Sequence, residues 1–188
     1  MYYPYLRSKQ NEMLALREIA QSDITYSHVM PIIEPVRELT TMDKTVQMME
    51  NASIPYAIIL NAKGCEVNEV YAWLAKDEYC NYTPAFLCDG SILSVKSSLD
   101  SIEEIHDVIL VFKNDIDSDN EELLSLLTHP SVATIVGHMS RSLRKKLSHE
   151  NKQLVTFNAD AFRAQNSNAQ YESVPDELYT EEHSFYKD

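Results

Sequence analysis

Along the chain, short apolar runs that close on a polar residue alternate with stretches whose apolar positions fall at helical spacing. The runs are His28–Pro35 (HVMPIIEP), Tyr56–Ala62 (YAIILNA), Thr83–Asp89 (TPAFLCD), Asp107–Phe112 (DVILVF), Ser131–His138 (SVATIVGH) and Gln153–Asp160 (QLVTFNAD). Consecutive valines, isoleucines and leucines are what strands covered on both faces require. Pro35 stops the first run, because proline has no N–H for a ladder. The starts lie about 25 residues apart, which leaves room for one helix in each gap.

The gaps carry that helix pattern. Gln10–Gln21 places Met13, Leu14, Leu16, Ile19 and Ala20 on one stripe, and Thr41–Asn51 does the same with Met42, Val46 and Met49 behind a threonine cap. Glu66–Lys76 aligns Val67, Val70, Tyr71 and Leu74. Ser98 or Asp100 predicts a helix running through His106, with Ile102 and Ile105 as its apolar positions. Asp117–Asn120 leads into a leucine-rich helix that His129-Pro130 ends, and Arg141–His149 is a short basic helix.

Strict alternation of this kind predicts an α/β fold of parallel strands: a (βα) barrel-like chain of about six units, an incomplete TIM-type barrel. A doubly wound parallel sheet is the alternative. A full eight-unit barrel takes about 250 residues, so a chain of 188 is expected to stop about two units short. Residues 1–163 then form the barrel-like domain, and 164–188 an acidic arm dotted with aromatics. The opening MYYPYLRSK is read in two ways. It either plugs one end of the core, or it carries Arg7 and Lys9 into a pocket.

Charge narrows the partners. The net charge is −13, and Asp100–Glu122 and Tyr171–Asp188 account for all of it. Acidic segments repel phosphate backbones, so nucleic acid is not expected as the primary partner. No apolar stretch nears the roughly 18–20 residues of a bilayer span, and no secretory leader pattern opens the chain. A cytoplasmic protein without a membrane partner is the expectation. Three cysteines without a CxxC pair suit structural roles. Three glycines form no GxGxxG or Walker loop, which leaves a nucleotide site of those types without support.

Chemistry is expected where parallel strands end, since both candidate architectures gather functional groups at their carboxyl ends. Those positions hold Glu34, Asn61 with Lys63, Asp89, Lys113 with Asn114 and Asp115, His138, and Asn158 with Asp160. Glu34, Asp89, Asp160 and His138 have the oxygen and imidazole donors for a divalent metal, the one cofactor the sequence suggests. Lys63, Lys113 and Arg163 are suited to an anionic group opposite. Glu34, His138 and Asp160 are the candidate catalytic groups, with Arg7, Lys9, Asn61, Lys63, Asp89, Lys113 and Arg163 as ligand-binding candidates. The plain alternative is that Asp and Asn at strand ends only turn and cap. Glu34 fits that alternative least, because it sits between Ile33 and Pro35. A carboxylate there needs a partner, and Arg7, whose fork donates two parallel bonds, is the predicted one.

The opening YYPYLRSKQNEMLALREI followed by VMPIIEP resembles the start of the phage beta-protein family and its bacterial relatives. The matching positions are Tyr3, Pro4, Tyr5, Leu6, Arg7, Glu12, Ala15, Leu16, Pro31, Glu34 and Pro35. A weaker likeness falls on Phe162, Asn168 and Tyr171. The resemblance implies a β–α barrel, a C-terminally shortened member, and a phage or mobile-element and defence context, sometimes beside a nuclease-like protein. It implies no reaction. Two functions are therefore expected. One is a barrel scaffold that binds a partner protein or a second copy through the C-terminal arm, with Tyr171, Tyr179, Phe185 and Tyr186 as anchors. The other is a hydrolase or lyase acting on an anionic small molecule at the strand-end rim, with a metal or Arg7 and Lys63 holding the anion.

Overall fold

The structure is a computed structural model of the chain that describes residues 1–22, 28–36, 39–76, 79–90, 92–102, 105–116 and 120–155. The chain divides into two units, Met1–Thr156 and Phe157–Asp188, and the second lies outside the described residues. The expected C-terminal arm falls there.

Among the described residues, seven strands form one sheet: β1 (Tyr5–Leu6), β2 (Ile32–Ile33), β3 (Tyr56–Ile59), β4 (Tyr82–Leu87), β5 (Val108–Val111), β6 (Val132–Val136) and β7 (Gln153–Val155). Every neighbouring pair is parallel and the spatial order follows the chain order. Between them the described residues form six α-helices: α1 (Gln10–Gln21), α2 (Asp43–Asn51), α3 (Val67–Lys76), α4 (Ile92–Ser101), α5 (Glu121–Leu127) and α6 (Arg141–Leu147). A doubly wound sheet would reverse its strand order partway, so the sequential order rules that alternative out. The sheet is curled into an incomplete parallel β–α barrel. Contacts across it demand the curl. The Lys113 ammonium, just past β5, lies 4.8 Å from the centre of the Tyr5 ring on β1. Four strand spacings in a flat sheet would hold those backbones about 19 Å apart.

Along the central strands, side chains alternate between two buried environments. Ile33, Tyr56, Ile58, Phe86, Val108, Leu110 and Ile135 pack with the helices, against residues such as Leu16, Val46, Leu74, Leu99, Leu126 and Leu143. Ile32, Ala57, Ile59, Ala85, Ile109 and Val111 are equally buried but belong to the concave face. Polar ties lock the helical layer. Arg17 Nε donates to Thr45 Oγ1 across α1 and α2, and Trp73 Nε1 donates to Asp43 Oδ1 across α3 and α2. Asn120 caps α5 by accepting the Leu123 N–H, and Ser140 caps α6 through the Leu143 N–H.

Three expectations need correction, the first being the threonine cap of α2, whose N-cap is Met42 with no side-chain cap bond. The chain has a strand ahead of the six read from the pattern: Tyr5–Leu6 pairs in parallel with Ile32–Ile33. Two residues and a preceding proline give too little alternation to register as a strand, and the pairing comes from β2. The helix placed from Ser98 or Asp100 to His106 instead runs Ile92–Ser101. Its buried stripe is Val95 and Leu99, and Ile105 reaches the core from the loop beyond it. Among the described residues, no helix is long and apolar enough to cross a membrane.

Candidate functional site

The site grows from the exits of β1 and β2. Leu6 ends β1 facing the helices, so Tyr5 and Arg7 on either side of it face the concave side. The next residue, Ser8, adopts a left-handed backbone (φ 47°), a conformation that costs a non-glycine residue about 1 kcal/mol or more. Three bonds hold it there. The Glu12 carboxylate accepts the N–H groups of Arg7 (2.8 Å) and Lys9 (3.0 Å), and the buried Ser8 hydroxyl accepts the Val36 N–H at 3.0 Å. The last bond ties the exit of β1 to the exit of β2, and so fixes Arg7 beside Glu34.

Glu34 is the centre. Its side chain is only 6% exposed, and its Oε2 takes three neighbours from two sides of the sheet. The Tyr5 hydroxyl donates at 2.7 Å, Arg7 Nε lies at 3.5 Å, and Lys113 Nζ also lies at 3.5 Å. The predicted Arg7–Glu34 pair therefore forms, with a second cation that sequence reasoning assigned to a different partner. Burial, followed by the hydrogen bond to Glu34, pushes the Tyr5 phenol far above its ordinary range, and Asp89 adds to the push while Arg7 opposes it. Tyr5 is thus fixed as a neutral donor. Sequence reasoning missed it as a site residue. The signal available was its position two residues before Arg7, on the same face of an extended segment.

The other strand-end candidates separate. Asn61 does not face a ligand: its Oδ1 accepts the Leu87 N–H and its Nδ2 donates to the Leu87 carbonyl, both at 2.8 Å. It copies a strand's pairing where β3 has ended. Lys63 and Lys9 are exposed, and no contact among the described residues joins their side chains to Glu34. Asp89 is exposed at the end of β4 and is felt by Tyr5 only through its charge. His138 Nδ1 lies 3.0 Å from Asp115 Oδ1, and both side chains are well exposed, away from the Glu34 contacts. Asp160 and Arg163 lie outside the described residues.

Metal donors do not assemble around Glu34. Among the described residues, no three His, Cys, Asp or Glu side chains come close enough to share an ion. The oxygen that would serve as a ligand faces two cations and a phenol. Cys65, Cys80 and Cys88 are free, and burial pushes the Cys88 thiol up to about 12, with Asp89 adding to the effect. That thiol is inert rather than nucleophilic.

A second concavity lies on the opposite face of β1. It is an apolar groove of about 550 Å³ lined by Pro4, Leu6, Ala15, Ile19, Val29 and Pro31. Its residues pack toward α1, and none of them contacts Glu34 through its side chain.

Comparison with protein-family models, with curated proteins and with solved structures returns no match.

Proposed function

We propose that the protein is a barrel-scaffold binding protein whose small-molecule site is the mouth formed at the carboxyl ends of the strands around Glu34. One observation carries this reading: a carboxylate 6% exposed sits between two cations that are 55% and 35% exposed. Burying a carboxylate is costly unless it is paired. Here the anchor is buried and the cations open to the mouth. The likeness to the phage beta-protein family adds a phage or mobile-element and defence setting in the cytoplasm, as a context for the ligand rather than a reaction.

The test is a screen of small polar compounds against the full chain, read by backbone amide shifts. Shifts clustering at residues 34–36, 61–64, 88–90 and 112–116 are expected, and they should vanish in a folded Glu34→Gln variant. No compound moving those amides would overturn the proposal.

A protein partner is a second reading, favoured by the apolar groove on β1 and by Tyr2 in its lining, which is 64% exposed. Self-association through this face or the C-terminal arm predicts a dimer by light scattering. A strict monomer at high concentration removes that form of the reading.

A further inference from the structure

The side-chain nitrogens Arg7 Nε and Lys113 Nζ both approach Glu34, yet neither makes a short hydrogen bond to it. Both lie at 3.5 Å from Oε2, whereas charge-assisted N–H···O bonds run about 2.7–2.9 Å. The short bond at that oxygen, 2.7 Å, belongs to Tyr5. An arginine has five N–H donors and a lysine three. Among the described residues, none of those on the two side chains is matched with a hydrogen-bond acceptor. Two positive charges thus flank one negative charge, with their donors uncommitted and their outer ends in the mouth. Lys113 is further restrained by its seat over the Tyr5 ring.

The surroundings decide what such a pair can hold. Below the mouth, the concave face is closed by Ile32, Ala57, Ile59, Ile109 and Val111, each at most 1% exposed. Those apolar side chains offer a charged group no partner, which favours the level of the two cations. The low-dielectric floor also strengthens attraction above it relative to open water. Resting on the reading of the mouth as a ligand site, we infer that Arg7 and Lys113 jointly take an oxyanion of the ligand, a carboxylate or a phosphate group. Arg7 presents its planar fork to two oxygens and Lys113 supplies a point charge from the far side of the barrel. Glu34 is a positioning residue that holds the two cations at their separation.

Backbone amide shifts of the full chain titrated with sodium phosphate, with sodium acetate, and with sodium chloride at matched ionic strength provide the test. Saturable shifts around residues 7, 34 and 113 are expected with phosphate or acetate and not with chloride. A response to phosphate alone, or to acetate alone, names the group. Arg7→Ala and Lys113→Ala should each weaken the response about tenfold. Both residues are open to solvent, so the variants are expected to fold, and if either fails to, the other decides. Equal shifts with chloride, or undiminished binding in both alanine variants, would overturn the inference. Neutral compounds that move the mouth amides while both oxyanions leave them still would sink the oxyanion and spare the site. If nothing moves them, both readings fall.

Discussion

Two glutamates sit at opposite ends of the same sheet, and each accepts a tyrosine hydroxyl at 2.7 Å. Glu34, past the carboxyl end of β2, takes Tyr5, and Glu50, near the amino ends of β3 and β4, takes Tyr56. Their remaining partners differ in kind. Glu50 also accepts the backbone N–H and the side-chain amide of Asn81 and the Cys80 thiol, all neutral donors. Glu34 has two cations within 3.5 Å instead. Neutral donors around a carboxylate make a latch between chain segments. Cations that remain open to solvent make a site that can take a second anion. The division follows the general habit of parallel barrels, with stability at the amino end and chemistry at the carboxyl end.

The comparison breaks most easily at Glu50. Glu50→Ala should cost about 3 kcal/mol by urea denaturation, since it orphans the hydroxyl of the fully buried Tyr56 and the Asn81 N–H. Oxyanion titration should be unchanged. A loss below about 1 kcal/mol would remove the latch from the account. The mouth end has a packing constraint of its own, at Gly137. A Cβ there would lie 2.9 Å from Phe112 Cβ and 3.1 Å from Ile116 Cδ1, so Gly137→Ala should cost about 2 kcal/mol through overpacking.

Glu34→Gln should behave otherwise. A pair whose cation is stranded in the interior costs roughly 3–5 kcal/mol to break. Arg7 and Lys113 keep access to water, and the glutamine oxygen can still accept the Tyr5 hydroxyl. A loss of about 1 kcal/mol is expected, with ligand response abolished. A loss near 4 kcal/mol would mark the cluster as a strut.

Alkaline titration compares the two tyrosines directly. Burial first, then the bond to its glutamate, raises the phenol of both Tyr5 and Tyr56 above the ordinary value of 10.0. A group raised in the folded state contributes stability that is whole below its unfolded value and is lost as pH climbs past it. Unfolding free energy should therefore fall steadily above about pH 10. Tyr56→Phe and Tyr5→Phe should each flatten that slope by about one proton's worth, because both phenols stay protonated in the folded state while the unfolded ones ionise. The smallest expected effect is at Tyr3→Phe, under about 1 kcal/mol, from loss of the exposed hydroxyl bond to Gln153.

Much of this was legible in the pattern of residues, and the failures have physical causes. The strands from β2 to β7 follow from apolar runs because strands buried on both faces need them. Tyr5–Leu6 has no such run, since half of its environment is the mouth. Glu34 stood out as a carboxylate between apolar neighbours. Asn61 could not be told from a ligand-binding residue, because the same amide serves a ligand or a neighbouring strand. Lys113 was read as an anion holder, but not as a neighbour of Glu34. Curvature that joins β5 to β1 has no trace in a linear pattern. Strand-end polarity identified a rim of candidates, and only side-chain geometry separated Arg7 and Lys113 from Lys63.

The sequential strand order also bears on how the chain reaches its fold. Every ladder joins a strand to the one before it, at most about one β–α unit away along the chain. Loop closure is therefore cheap at each step, and contact order stays low for a protein with seven strands. A nascent chain can add each unit to those already emerged, as amino-terminal portions fold first during synthesis. The bond from Tyr3 to Gln153 spans 150 residues, and it can form only after β7 is in place. Vectorial assembly with that contact as a late event is the kinetic counterpart of a sheet whose described strands curl without a ladder between β1 and β7.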